Sequence, residues 1–253
     1  MIVSMSKTTH LIRTIGFTNE GNTFPSSLAV SAYKEQHEFD HKYILHDRER
    51  QQLDAYHYKR RKESYYYGRV SGKIAVSDFL KLDFQEFYID TGVFTQPVVC
   101  CPMKTNCQVS ISHADRVSTS IAYDEKHPIG IDIESMHSKN AATVMEYLTT
   151  EEKKFLFDEY SPLLFWTAKE ALSKALKTGL TIPLNLLEIN SIERGGDFHH
   201  VTFKNFSQYK AIVFTFGENI LSIAYPSRSQ LNFDSMNTRD FREINLRTII
   251  ELT

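Results

Sequence analysis

The segment from 129 to 134, Ile-Gly-Ile-Asp-Ile-Glu, carries two acidic residues at alternate positions. On a β-strand this spacing turns the three isoleucines towards the core and places Asp132 and Glu134 together on one outward face. Two carboxylates so placed can share Mg²⁺, which binds oxygen ligands and completes its shell with water and substrate phosphates. A half-buried strand with an acidic outer face has the same pattern, and taken alone the short segment favours that structural interpretation.

A second set of charged residues lies in the segment from 165 to 174, Phe-Trp-Thr-Ala-Lys-Glu-Ala-Leu-Ser-Lys. We expect this segment to be helical, because Pro162 precedes it and proline is well tolerated where a helix begins. Glu170 and Lys174 are four residues apart and therefore share one face of the helix. One interpretation is an ordinary surface ion pair, which contributes little to stability. In the other, Glu170 is a third carboxylate beside Asp132 and Glu134, and Lys174 is a cation that binds phosphate.

A histidine stands at the end of another predicted strand, Val-Ser-Ile-Ser at 109–112. His113 has the chemistry to bind phosphate or to assist a proton transfer, although a lone histidine at a strand end is more often structural. The sequence contains no GxSxG elbow, Walker loop or Rossmann glycine pattern. The adjacent histidines at 199 and 200 lack the spacing of zinc ligands.

The elements that must position these residues alternate between helical and extended patterns. The stretch 46–82 is rich in helix formers, and a second helical stretch runs from 139 to 178, with a capping box at Thr149 and Glu152. The first forty residues are weakly patterned, with one short strand at 27–33. Short strands are also predicted at 84–89, 97–101, 108–112, 118–123 and 129–134, and hairpins at 187–203 and 210–225.

This order of elements predicts an α+β fold built from two similar halves. We expect an N-terminal half at 1–118, a C-terminal half at 119–226 and a loosely held tail at 227–253. A glycine that ends the second helical stretch is expected at Gly179.

Composition and charge narrow the classes of function. The chain has 253 residues, of which 42% are hydrophobic and 24% charged, which is typical of a globular protein and excludes a disordered or membrane-embedded one. Its 29 Lys and Arg against 31 Asp and Glu provide no global field for nucleic acid. The cysteine count is odd (Cys100, Cys101, Cys107), which predicts reduced thiols in a cytoplasmic protein. The N-terminus has no sustained apolar stretch, so we expect a soluble protein without a membrane partner.

Together, in their order and spacing, these segments resemble the 4′-phosphopantetheinyl transferase superfamily, specifically the large type associated with surfactin and enterobactin synthetases. The resemblance runs from about Lys59 to Tyr225. It is carried by Gly-Ile-Asp-Ile-Glu at 130–134, Trp-x-x-Lys-Glu-x-x-x-Lys at 166–174, Ser-Ile-Ser-His at 110–113, the basic Arg-Arg at 60–61 with Gly-Arg at 68–69, and the stretch 177–184.

Members of this family move the phosphopantetheine arm of coenzyme A onto a serine of an apo acyl or peptidyl carrier protein and release 3′,5′-ADP. The resemblance therefore implies two similar α/β halves related by a pseudo-twofold, with coenzyme A in the cleft between them. The first half would contact the nucleotide and the second would carry the metal and catalytic residues. The resemblance also implies Mg²⁺, with Mn²⁺ as an alternative, and a monomer.

The resemblance assigns roles to residues at the matching positions. Asp132, Glu134 and Glu170 are the expected metal ligands. The expected catalytic residues are the same three with Lys174, where Glu170 is the candidate general base and Lys174 stabilises charge on the transferring phosphate. The residues expected to bind coenzyme A are Arg61, Arg69, Gln96, Pro97, Ser112, His113, Lys169 and Lys174, with Gln96 and Pro97 on the adenine side.

Two positions depart from the family pattern, since Ser110 stands where asparagine is common and Gln96 where lysine precedes the proline. Neither departure touches the acidic residues. Two other functions stay open. A non-catalytic carrier-binding relative would keep the cleft without turnover, and a Mg²⁺-dependent nuclease or phosphodiesterase would use the same carboxylates.

Overall fold

The computed structural model describes residues 2–5, 8–33, 43–137, 141–195 and 198–232. The strands are β1 (Ile2–Met5), β2 (Thr8–Asn19), β3 (Asn22–Tyr33), β4 (Tyr88–Thr91), β5 (Pro97–Cys100), β6 (Cys107–Ala114), β7 (Val117–Asp124), β8 (Gly130–Ser135), β9 (Ile189–Gly195), β10 (Phe198–Phe203), β11 (Tyr209–Phe216), β12 (Asn219–Pro226) and β13 (Gln230–Asn232). The helices are α1 (Asp47–Ala55), α2 (Lys59–Leu80), α3 (Ala141–Tyr147), α4 (Thr150–Lys153) and α5 (Ser161–Ala175), with 3₁₀ turns at Phe84–Glu86, Gly179–Thr181 and Leu184–Leu187.

These elements form two large antiparallel sheets, each packed with helices, and a two-stranded sheet of β4 and β5, which confirms the predicted α+β class. The first sheet has the order β1-β2-β3-β7-β6, with β13 paired to β2, and the second has the order β8-β12-β11-β10-β9. Helix α2 packs on β3, β6 and β7, and α5 packs on β8, β11 and β12. One core cluster joins both sheets, because Ile131 and Ile133 of β8 pack with Leu28 and Ile121 of the first sheet.

A buried ion pair ties the two helices of the first part to the hairpin that follows them. The Nζ of Lys73 on α2 lies 3.5 Å from a carboxylate oxygen of Glu49 on α1, and both side chains are fully buried. Glu49 also accepts a hydrogen bond of 2.8 Å from the backbone N–H of Ile89 in β4. Burial holds the pKa of Lys73 below its ordinary value, at about 8.

The same arrangement occurs again in the second part of the chain. The Nζ of Lys169 on α5 lies 2.7 Å from a carboxylate oxygen of Glu152 on α4, both buried, and Glu152 accepts a bond of 2.8 Å from the backbone N–H of Ile189 in β9. Glu152 has the N3 position of a capping box whose N-cap is Thr149, as predicted, and Glu49 has the N3 position of a box whose N-cap is His46. In both parts of the chain, a buried glutamate therefore connects the lysine of the long helix to the backbone of the first strand that follows this helix.

The strand predicted at 27–33 lies within β3, but the sequence missed the other strands of this N-terminal part. A long hairpin contains the predicted strand, and β2 pairs with β3 along the full length of both strands. Its turn uses Glu20 with φ 49° and Gly21 with φ 81°. Two consecutive positive φ values make a tight two-residue turn, for which Asn-Gly or Asp-Gly is the usual sequence signal. Glu-Gly does not give that signal.

Other boundaries also differ from the sequence prediction. The stretch 46–82 divides into α1 and α2, and the first part of the predicted strand 84–89 is a 3₁₀ turn. After α5, Gly179 has the left-handed φ of 56° expected of a glycine that follows a helix, but Lys177, two residues earlier, already takes a φ of 57°. The expected boundary at 118 lies inside β7, whereas the chain passes from one sheet to the other between Asp124 and Gly130.

The start of the expected tail is attached to the first sheet. Strand β13 pairs with β2, and the buried hydroxyl of Ser229 lies 2.8 Å from Nε2 of His127. The His127 ring packs on Phe17 and Phe24, with centroids 4.8 Å from each. The remainder of the tail after 232 and residues 196–197, in the turn predicted at 194–197 within the hairpin 187–203, lie outside the described residues. None of the described helices has the length and apolar composition that crossing a bilayer requires.

Candidate active site

Strand β8 and helix α5 approach each other at Gly130. A Cβ atom at this position would lie 1.9 Å from the carbonyl oxygen of Ala171 and 2.5 Å from the backbone nitrogen of Ala175. Only glycine leaves room for the helix backbone this close to the strand. The contact brings the acidic residues of β8 beside Glu170 and Lys174 of α5, as the sequence predicted.

Asp132 is the most enclosed of the three carboxylates, with 4% of its surface exposed. Its Oδ1 accepts hydrogen bonds from Nζ of Lys174 at 2.6 Å and from the hydroxyl of Ser112 at 2.7 Å. Its Oδ2 is buried and has no hydrogen-bond partner in the described structure. A buried carboxylate oxygen without a partner costs free energy, so this atom is available to a ligand that brings positive charge.

Glu134 and Glu170 are half-buried and both have raised pKa values. Burial first and the negative charge of Asp132 second raise the pKa of each carboxyl to about 7. A hydrogen bond from Trp166 and the charge of Lys174 act against the shift at Glu134. The carboxylates therefore repel one another, and Lys174 is the cation that the structure places against them.

This donor set suits a hard divalent cation, because such ions take oxygen ligands and need only one or two protein carboxylates. Among the residues that the structure describes, no three His, Cys, Asp or Glu side chains stand in an arrangement ready to hold a metal ion. A divalent cation would nevertheless give Oδ2 of Asp132 a partner and would reduce the repulsion between the carboxylates.

His113 lies at the end of β6, where its Nε2 is 2.5 Å from the hydroxyl of Ser64 on α2. The ring is accessible to water and lines a concave part of the surface. Desolvation by the surrounding protein lowers the pKa of His113, and the positive charges of Lys174 and Arg61 lower it further. His113 is therefore neutral at pH 7, with a nitrogen that serves as donor or acceptor according to its tautomer.

Two cavities flank the carboxylates. One, of about 200 Å³, is lined by Gln96 and Pro97 on one side and by Glu170 and Lys174 on the other. The other, of about 520 Å³, is lined by His113 and Glu134 together with Ser64, Arg60 and Tyr67. Six predicted site residues (Gln96, Pro97, Glu170, Lys174, His113 and Glu134) thus line one of these two cavities.

Three predicted coenzyme A contacts are engaged elsewhere. Lys169 is 1% exposed and is bound to Glu152. The guanidinium of Arg69 lies over the Tyr65 ring at 4.9 Å, and its terminal nitrogen donates to Thr91 at 3.3 Å. The hydroxyl of Ser112 faces Asp132 rather than either cavity. Arg61 lies over the ring of Tyr56 at 5.2 Å, with its charge close enough to act on His113.

Sequence reasoning missed residues that line the cavities. Lys177 borders the smaller cavity and donates to Gln108 at 2.8 Å, and its spacing of three from Lys174 was the available signal. Arg60 and Ser64 border the larger one. Nothing in the sequence separates Arg60 from Arg61, since which of two adjacent helix residues faces a cavity depends on packing.

Comparison with known families gives a match for the second part of the chain. Residues 128–224 match the family described as the 4′-phosphopantetheinyl transferase superfamily, which is less than half of the chain. The matched region contains β8, α5 and all three carboxylates, but neither His113 nor Gln96. A domain of this superfamily implies phosphopantetheinyl transfer to carrier proteins. Comparison with curated proteins found no match.

Proposed function

We propose that this protein transfers the phosphopantetheine arm of coenzyme A to a serine hydroxyl of an apo acyl or peptidyl carrier protein, with release of 3′,5′-ADP. The observation that carries the proposal is the environment of Asp132. One carboxylate oxygen is fixed by Lys174 and Ser112, and the other is buried without a partner next to two carboxyls of raised pKa. All three acidic residues lie in the segment that matches the superfamily.

Asp132, Glu134 and Glu170 are the residues that would hold Mg²⁺, or Mn²⁺ in its place. Bound there, the ion would neutralise charge on the phosphate oxygens of the substrate. Burial first and the negative charge of Asp132 second raise the pKa of Glu134 and Glu170. An ion of two positive charges would favour the ionised form of both carboxyls, so these groups favour its binding.

The reaction requires a proton acceptor and a group that stabilises charge on the transferred phosphate. The serine oxygen forms a bond to the phosphorus of the arm, the bond to the bridging oxygen breaks, and 3′,5′-ADP leaves with the electron pair. Glu170, which borders the smaller cavity, takes the hydroxyl proton. Lys174, fixed at 2.6 Å from Asp132, stabilises the phosphate charge that develops.

Coenzyme A would occupy these two cavities. Gln96 and Pro97 would contact the adenine side. His113 with Arg60, which borders the same cavity, would bind phosphate, for which the guanidinium supplies paired donors, and Arg61 would add positive charge nearby. Lys169 and Arg69, which the resemblance also assigns to coenzyme A, receive structural roles in our proposal because their cations already have protein partners.

We further propose that the chain acts as a cytoplasmic monomer whose two halves are related by a pseudo-twofold. The repeated Glu–Lys pair and the sheet order support the second statement. The basic residues of α2 provide charge for an acidic carrier protein as well as for coenzyme A.

The test is intact-protein mass spectrometry of several apo carrier proteins incubated with this protein, coenzyme A and Mg²⁺. We expect one carrier to gain one phosphopantetheine, and we expect EDTA, Asp132→Ala and Glu170→Ala each to abolish the gain while the variants remain folded. Coenzyme A binding without transfer to any carrier would favour the non-catalytic relative. Cleavage of a phosphodiester without coenzyme A binding would favour the phosphodiesterase.

A further inference from the structure

The two sheets meet at the edge strands β6 and β8, and serine hydroxyls join these strands. The hydroxyl oxygen of Ser110 accepts a hydrogen bond of 3.1 Å from the backbone N–H of Ile131. The hydroxyl oxygen of Ser112 accepts one of 3.4 Å from the backbone N–H of Ile133. Side chains of β6 thus satisfy the N–H groups of β8 that a neighbouring strand would satisfy within a sheet.

Ser112 differs from Ser110 in making a second contact, since it also donates to Oδ1 of Asp132 at 2.7 Å. A hydroxyl has one hydrogen to donate and two lone pairs that accept. The N–H of Ile133 can only donate, and an ionised Asp132 can only accept. The direction of both bonds is therefore fixed, and the Ser112 hydrogen points to the carboxylate.

These bonds determine which oxygen of Asp132 is available. Ser112 and Lys174 both occupy Oδ1, and the other oxygen is left buried and unpartnered beside Glu134 and Glu170. Without Ser112, the carboxylate would be held through Lys174 alone, which is a long side chain that can follow a rotation of the group.

We propose that Ser112 is a positioning residue, which orients the Asp132 carboxylate so that Oδ2 faces a divalent cation. This inference rests on the proposed function and replaces the direct coenzyme A contact that the sequence suggested for Ser112. Partners that hold a metal-binding carboxylate in place commonly affect metal affinity or activity by about 10- to 100-fold.

The test compares Ser112→Ala with Ser110→Ala, because each removes the acceptor of one β8 N–H and only the first removes a bond to Asp132. Mn²⁺ serves as the probe, titrated into each protein and followed by electron paramagnetic resonance, with coenzyme A affinity measured by calorimetry in the presence of EDTA. We expect Ser112→Ala to weaken Mn²⁺ binding about tenfold or more. We expect Ser110→Ala, and the hydroxyl-retaining Ser112→Thr, to stay near the wild-type affinity.

Equal loss of Mn²⁺ affinity in both alanine variants would overturn the proposal, since the serines would then act only on the strands. A loss of metal-free coenzyme A affinity in Ser112→Ala, with Mn²⁺ affinity unchanged, would also overturn it and restore the direct contact. Thermal unfolding of each variant shows whether a change in affinity merely reflects lost structure. The proposed function fails separately: a wild-type protein that binds Mn²⁺ but modifies no carrier contradicts the transfer, while the affinity comparison still decides the role of Ser112.

Discussion

Replacing Gly130 by alanine places a methyl group where β8 and α5 touch. The new Cβ would lie 1.9 Å from the carbonyl oxygen of Ala171, and real Cβ atoms essentially never approach such an atom within 3.0 Å. The helix therefore has to move away by about 1 Å, because its backbone cannot turn aside as a side chain can. Overpacking of this kind costs about 1–3 kcal/mol of unfolding free energy.

The larger effect is expected at the active site. Glu170 and Lys174 belong to the part of α5 that is displaced, whereas Asp132 stays on β8, so the bond of 2.6 Å between Lys174 and Asp132 lengthens. A misplacement of about 1 Å can lower a rate by about 100-fold. We expect Gly130→Ala to lose carrier modification by about that factor, measured as initial rates by mass spectrometry, while urea unfolding reports the smaller loss of stability.

The matched control is Gly16→Ala, a glycine of β2 at which a Cβ meets only the Cβ of Asn232, at 3.8 Å. This variant should keep the wild-type rate and stability within experimental error. A Gly130→Ala protein that remains folded and retains more than half of the wild-type rate would refute the argument that close backbone contact positions the catalytic groups.

Three further perturbations have distinct expected results. Lys169→Met leaves the buried charge of Glu152 unpaired and should lower the unfolding free energy by about 3–5 kcal/mol in urea titrations, with little change in coenzyme A affinity of the folded protein. Lys174→Ala should lower the transfer rate by about 100-fold or more, because it removes a cation that stabilises the transition state. Burial holds the pKa of His127 at about 4, so between pH 6.5 and 4 the unfolded chain binds more protons than the folded one. Unfolding free energy should therefore fall as the pH drops through that window, by up to about 3 kcal/mol, and His127→Gln should lack this part of the slope.

Each of these results has its own control. Lys169→Met combined with Glu152→Gln removes both charges and should recover part of the lost stability, whereas weakened coenzyme A binding at full stability would point to a phosphate contact. Lys81→Ala removes a lysine whose bond of 2.8 Å to Asp78 is exposed, and a rate loss equal to that of Lys174→Ala would indicate general electrostatics. An identical pH slope in the wild-type protein and in His127→Gln would place the titrating group elsewhere.

Local patterns predicted the elements that carry the site, while the contact between Ser112 and Asp132 escaped prediction. Alternation identified β8, and Pro162 with helical spacing identified α5, because both signals arise within one element. The bond between Ser112 and Asp132 joins two edge strands of different sheets, and its residues are 20 positions apart in sequence. No periodicity encodes that approach, so the serine was assigned to the substrate instead.

Burial explains the other differences. Lys169 and Glu170 are adjacent in sequence and both ionisable, yet the helix turns the first into the core and the second towards a cavity. The capping box predicted that Glu152 would bind the helix backbone, but not that its carboxylate would also pair with Lys169. The long hairpin of β2 and β3 was missed because its turn lacks the residues that usually accept positive φ.

The repeated pair of a buried glutamate and a buried lysine also restricts how this sequence can change over time. At either pair, replacing one partner leaves the other charge buried and unpaired, whereas replacing both residues together is often tolerated. A lineage can therefore leave this arrangement only by passing through a poorly stable intermediate. We therefore expect Glu49, Lys73, Glu152 and Lys169 to change more slowly than most other positions. If the two halves share an ancestor, these four residues would be among the last to lose their similarity.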